Sequence, residues 1–122
     1  MRAESLGGLL AEAGRGLFAV IAGDLAQIRP VTRRSFTVPG TDPAWLLLDW
    51  TTELLAAFDL ERLLLCEFEV AVEAAGARGH ARGERYDPAR HTLAHEIKAV
   101  TQHGLDVRRT AAGWEGTVIV DI

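Results

Sequence analysis

The residues able to do chemistry crowd into one stretch and the chain's last two positions. Glu84, Asp87 and His91 fall within Gly83-Glu84-Arg85-Tyr86-Asp87-Pro88-Ala89-Arg90-His91, read as a strand end and a turn. Loops held on a rigid scaffold are where function concentrates; the competing reading is a solvated turn that Asp87-Pro88 begins. His91, His95 and Glu96 invite a metal, but a His-x3-His pair shares one face only on a helix. Here the segment reads as a loop entering a strand, so these histidines are not expected to hold an ion. Glu96 and Lys98 lie two apart on a strand expected over Glu96–His103, and so share a face, with His103 on the opposite alternation. They form either a solvated ion pair, worth about 0–1 kcal/mol, or paired charges offered to a phosphate or a partner. Asp121 and the α-carboxylate of Ile122 are adjacent anionic oxygen groups. They suit a hard cation such as Ca²⁺ or Mg²⁺, or form a solvated terminus.

Lys98 is singular in another way. The chain has thirteen basic residues, and every one but Lys98 is arginine. A lysine is a compact point charge that an arginine does not reproduce. Cys66 is the only cysteine, which excludes an internal disulfide and a cysteine-based zinc site; its place on an apolar strand face marks it as a packing residue. Serine is confined to Ser5 and Ser35, and there is no nucleophile elbow, no Walker-type phosphate loop and no dinucleotide-binding glycine fingerprint. A net charge of −4 argues against broad non-specific binding to nucleic acid and fits a protein partner.

These groups must be positioned by one domain, residues 1–122, with 48% apolar residues and enough chain for a real core. No apolar run approaches a membrane span. The N-terminus lacks a signal-peptide pattern, so the cytoplasm is the expected compartment.

Ser5 caps a first helix with Leu6, Leu9, Leu10, Ala13, Leu17, Val20 and Ile21 at helical spacing, ending near Gly23-Asp24. Gly14 and Gly16 weaken it but allow close packing on a sheet. A strand follows over Val31–Val38, its Arg33-Arg34 pair suggesting an edge. Asp42-Pro43 starts a second helix running to about Phe58, with Leu47, Trp50, Leu54 and Phe58 inward; Trp45 and Trp50 read as packing residues. From Leu63 the period is two: Leu64, Cys66, Phe68, Val70 and Val72 alternate with glutamates. Ala75-Gly76-Ala77 turns into a return strand, Arg78–Arg85. Glu96–His103, Leu105–Arg109 and Trp114–Ile122 are three further strands, the last two joined by Ala111-Ala112-Gly113. The expected class is α+β, two layers, both helices on one face of a mostly antiparallel sheet, with no strand before the first helix.

The segment Gly83–His91, the run Glu96-Ile97-Lys98-Ala99-Val100-Thr101-Gln102-His103-Gly104-Leu105-Asp106-Val107 and the ending Gly113-Trp114-Glu115-Gly116-Thr117-Val118-Ile119-Val120-Asp121-Ile122 together resemble archease. The resemblance spans essentially the whole chain. It implies a small non-catalytic accessory protein of the RtcB-type tRNA-splicing ligase. That ligase joins RNA ends through a covalent histidine–guanylate intermediate whose formation archease promotes. A chaperone-like role with an RNA methyltransferase is also implied.

By position, Asp121 and the carboxylate of Ile122 match the family's metal-binding end. Lys98 matches its motif lysine, expected to contact the ligase or nucleotide phosphates. Glu84, Asp87, His91, Glu96 and His103 match motif positions without individual roles. The family opens with a strand bearing a His-Thr-Ala-Asp-type motif whose Asp is a further metal ligand. That motif is absent here, and Met1-Arg2-Ala3 aligns just after it. The missing strand predicts an exposed sheet edge open to self-association. Two further readings stay in view: an archease-like interaction domain without its metal site, and a small metal-dependent phosphodiester hydrolase using Asp121 with Glu84, Asp87 or His91.

Overall fold

A computed structural model describes all 122 residues. The class is α+β, as expected. The strands form two separate three-stranded antiparallel sheets rather than one.

Helix α1, Leu6–Ala22, is capped by the Ser5 hydroxyl, which accepts from the Gly8 N–H. It ends where Gly23 takes a positive φ of 79° and its N–H returns to the Ala19 carbonyl. Helix α2, Pro43–Glu61, begins on Asp42, whose carboxylate accepts from the Ala44 and Trp45 N–H groups. It runs three residues past the expected end, closing on Arg62, a left-handed non-glycine residue at φ 56°. The Arg62 guanidinium lies over the rings of Phe58 and Tyr86, a cation–π stack that favours holding it there.

The strands are β1 (Arg2–Ala3), β2 (Thr32–Pro39), β3 (Leu63–Glu73), β4 (Gly76–Arg85), β5 (Ala99–Thr110) and β6 (Gly113–Asp121). One sheet has the order β2-β4-β3, the other β1-β6-β5. β2 is an edge strand, consistent with Arg33 and Arg34. The two helices and both sheets enclose one core of 24 buried residues. Trp50 is fully buried, and its Nε1–H donates to the Leu10 carbonyl across the helix pair at 2.8 Å.

Glycine sets how closely α1 meets β3. A Cβ on Gly7 would stand 2.3 Å from the Val70 carbonyl oxygen, and one on Gly14 2.7 Å from the Phe68 ring. Close packing therefore explains Gly14. It does not explain Gly16, where a Cβ would meet nothing within 4 Å.

Several expectations are corrected. The expected strands Glu96–His103 and Leu105–Arg109 are one strand, β5, with an irregularity between Thr101 and Asp106. Gly104, at φ 68°, sits within it and lets the strand resume pairing. Glu96–Lys98 precede that strand instead of lying on it, although burial still alternates: Ile97 is buried between exposed Glu96 and Lys98. A strand does precede the first helix. β1 pairs with β6 through Arg2↔Glu115 and Ala3↔Trp114, because Met1 exchanges both backbone bonds with Gly116. Trp45 is 51% exposed, since it lies in the first turn of α2 away from the Leu47–Trp50 stripe. The alternation in β3 fails at Cys66, where a bulge between Leu65 and Glu67 leaves Leu63, Leu64 and Leu65 all buried and the thiol half-buried. Val72, past the reach of the helix, is exposed.

Candidate functional site

The motif residues separate into two groups. The first is a clasp. Glu84, near the end of β4, has a side chain only 12% exposed. One carboxylate oxygen, Oε2, accepts from the Arg29 N–H at 2.7 Å and from His91 Nε2 at 2.9 Å, while Arg90 donates to Oε1. Burial acting alone raises a carboxyl's pKa. Here the Arg29 N–H, Arg90 and His91 outweigh it and hold Glu84 down at about 2.

His91 has no exposed side-chain surface. Its Nδ1 accepts from the Asp87 N–H at 2.9 Å, so the ring hydrogen sits on Nε2, the atom that donates to Glu84. Tyr86 stacks on the imidazole. Asp87 starts the turn: its carboxylate accepts from the Ala89 N–H, and its carbonyl from the Arg90 and His91 N–H groups. Glu84, Asp87 and His91 are thus spent on one another and on the turn. Arg29 and Arg90 complete the clasp without having been singled out in the sequence. Arg29 acts through its backbone, which leaves no signal in a residue type.

The segment between the clasp and β5 is pinned onto α1 by a second residue the sequence did not mark. Gln27 donates to the Ala22 and Thr92 carbonyls and accepts from the Thr92 N–H. The Ala94 N–H reaches the Ile21 carbonyl at 2.8 Å. The clasp and this pin fix the course of the chain from Tyr86 to Lys98.

That course delivers the second group. Lys98 arrives beside the end of β6, where its N–H donates to the Asp121 carbonyl at 2.7 Å and Ala99 pairs with Asp121. Lys98 is exposed and forms no ion pair, with Glu96 or any other residue. Asp121 is exposed, and Ile122 is 61% exposed. A shallow hollow at this end is lined by Gly23, Ala94, His95, Val120 and Ile122. Glu96 borders a different hollow, with Phe58 and Arg62. His103 lies within β5 at its irregularity, its N–H donating to the Thr101 hydroxyl.

No three His, Cys, Asp or Glu side chains converge anywhere in the structure. Asp121 therefore joins no three-membered metal-holding cluster with Glu84, Asp87 or His91. Asp121 with the Ile122 carboxylate supplies at most four oxygens, short of the six to eight that Ca²⁺ takes. The chemistry of the pair fits a hard cation, but the set is partial. The Cys66 thiol is pushed up, first by burial and then by Glu67 and Glu84, which suits packing rather than reactivity.

The whole chain, residues 1–122, matches the sequence model of the Archease protein family (MTH1598/TM1083). The chain belongs to the archease family. Protein archease of Methanopyrus kandleri is 37% identical over 118 residues, covering 93% of this chain and 84% of the relative. Protein archease of Pyrococcus furiosus is 33% identical over 111 residues, covering 87% and 78%. The solution structure of Methanobacterium thermoautotrophicum protein 1598 superposes with a TM-score of 0.77 at 26% identity, covering 94% of this chain and 83% of that one. The paired three-stranded sheets with two helices are thus the archease architecture. No helix of this archease is long and apolar enough to cross a membrane.

Proposed function

We propose that this archease is a non-catalytic accessory protein of an RtcB-type RNA ligase, promoting guanylylation of the ligase and its repeated turnover. Family membership supports the partner. The observation that carries the site is the placement of Lys98: the only lysine, exposed, free of any ion pair and held beside Asp121. A free ammonium at a rigid sheet end is ready to meet a phosphate or an acidic group of the ligase. Asp121 and the Ile122 carboxylate are the groups that hold a divalent cation, with water or the partner completing the partial oxygen set. Such an ion supplies local positive charge beside Lys98. Glu96 and His103, both exposed, are available to the partner. Glu84, Asp87 and His91 act on the site by fixing the chain that leads to Lys98.

Multiple-turnover RNA ligation with the cognate ligase limiting tests this reading. Addition of the chain is expected to raise product beyond one equivalent of ligase and to raise the guanylylated fraction. Unchanged turnover with a folded chain overturns it. A chaperone-like role with an RNA methyltransferase is then the reading to test next.

A further inference from the structure

The β2-β4-β3 sheet turns one face to the helices and the other to solvent. On the covered face Trp50 packs edge-on against Phe36, and a Cβ on Gly79 would meet its ring at 3.0 Å. Side chains of the alternate set point the other way. Arg33, Ser35 and Thr37 of β2 stand across from Arg82, His80 and Arg78 of β4. On the far side of β4 the register sets Glu67, Glu69 and Ala71 of β3 against the same three. All of these but His80 are exposed, and Ala71 is the one apolar side chain among them.

The charges on this open face are sorted. Arg33, Arg78 and Arg82, on β2 and β4, form no ion pair. The acids Glu67 and Glu69 stand on β3, and Glu69 is held by His80 Nε2 at 3.1 Å. The Arg33 guanidinium lies 3.3 Å from His80 Nδ1. A guanidinium only donates, so Nδ1 accepts and the ring hydrogen sits on Nε2, facing Glu69. His80 thus holds Arg33 over β4. Arg33, Arg78, Ser35 and Thr37 line one shallow hollow with His80. At about 3.3 Å per residue, Arg78 and Arg82 mark out a basic lane about 13 Å long, with Arg33 beside Arg82.

We propose that this lane binds the phosphate backbone of a nucleic acid strand. Guanidinium forks match phosphate oxygens two at a time, and the Ser35 and Thr37 hydroxyls can donate beside them. A protein partner suits the face poorly, because a protein interface is built around an apolar core and this face offers only Ala71. Interfaces with nucleic acid are polar and basic instead. No aromatic ring stands among these residues to stack a base, so the contact is to phosphate and is blind to sequence. Glu67 and Glu69 repel the strand from β3 and keep it over β2 and β4. The net charge of −4 keeps the affinity low and confines the contact to the lane. The lane lies on the sheet that lacks β5 and β6, apart from Lys98 and Asp121. The inference does not rest on the RNA-ligase reading.

The test is an NMR titration of the labelled chain, with no ligase present, using a twelve-residue oligouridylate at about 50 mM salt. Saturable shifts over Arg33–Thr37 and Arg78–Arg82 are expected. Three neutralised phosphates predict that log K falls against log salt with a slope of about −2, at about −0.7 per phosphate of a single strand. Oligocytidylate of the same length is expected to bind within threefold. Arg33→Gln with Arg78→Gln is expected to weaken binding at least tenfold, to flatten the slope to about −0.7, and to melt with the parent chain. Arg108→Gln with Arg109→Gln removes the same charge from β5 and is expected to bind as the parent does. No saturable shift, shifts elsewhere, a larger preference between the two oligonucleotides, parental binding by the first pair of substitutions or an equal loss in both pairs overturns the proposal. So does an oligoglutamate of the same length that binds as tightly, because the lane then takes carboxylates.

Discussion

The N–H of Lys98 donates to the carbonyl of Asp121 at 2.7 Å, joining by their backbones the two residues on which the proposed site depends. The bond leaves both side chains free while holding the two backbones side by side. Substitutions at either position can therefore be read as changes in charge rather than in fold.

Lys98→Ala is expected to melt with the parent chain, since exposed residues without an ion pair usually contribute within about 0.5 kcal/mol. Stimulation of ligase turnover is expected to fall at least tenfold. Lys98→Arg, which keeps the charge but not the point geometry, is expected to restore it only in part. Full stimulation by Lys98→Ala removes the lysine from the mechanism.

Divalent cation is expected to raise the melting temperature of the parent chain, because binding to the native state adds RT ln(1 + [L]/Kd), about 2.7 kcal/mol at a hundredfold excess over Kd. Asp121→Asn is expected to abolish the rise with Ca²⁺ or Mg²⁺ and to leave the metal-free melting temperature in place. Differential scanning fluorimetry with and without chelator reads both outcomes.

The clasp gives a pH signature. Glu84 is held at about 2 in the folded chain, below its ordinary value of 4.5. A depressed carboxyl stabilises the fold above its unfolded pKa, and that contribution is lost as pH falls through the folded one. Stability is expected to drop from about pH 5 toward pH 2. Glu84→Ala should be destabilised at pH 7 by about 2–3 kcal/mol, the worth of hydrogen bonds to a charged group whose buried partners are left unpaired. It should also show a flatter profile across the same window. Urea melts at a series of pH values measure this.

Two glycines of the same helix, α1, are expected to respond in opposite directions. Gly7→Ala drives a Cβ to within 2.3 Å of the Val70 carbonyl oxygen, a backbone contact that cannot swing away, and should cost about 1–3 kcal/mol. Gly16→Ala meets nothing and should gain about 0.5–1 kcal/mol from helix propensity. Denaturant midpoints at constant slope distinguish them.

What the sequence made legible was local. Ser5 and Asp42-Pro43 announce helix starts by their own chemistry, and the Leu47–Phe58 stripe announces a buried face. The Glu96-to-His103 region misled because Gly104 reads as a break, whereas its positive φ serves an irregularity within one long strand. Cys66 misled because a bulge resets strand alternation without changing composition. The candidate site divided the same way. Lys98 stood out by residue type alone. The pairing of Glu84 with His91, and the Arg29 N–H that joins them, depends on backbone brought from 55 residues away, which no spacing in the chain records.

The bond between Met1 and Gly116 spans 115 residues, whereas β3 and β4 are joined by a tight turn. Closing so long a loop is entropically costly until the rest of the chain is compact. The β2-β4-β3 sheet with α1 and α2 can assemble while synthesis continues. The β1-β6-β5 sheet must wait for β6 to be made. Lys98 leads into β5 and is held to the Asp121 carbonyl at the end of β6, so on the ribosome the proposed partner surface is completed after the core, and a nascent chain that has collapsed but not finished does not yet present it.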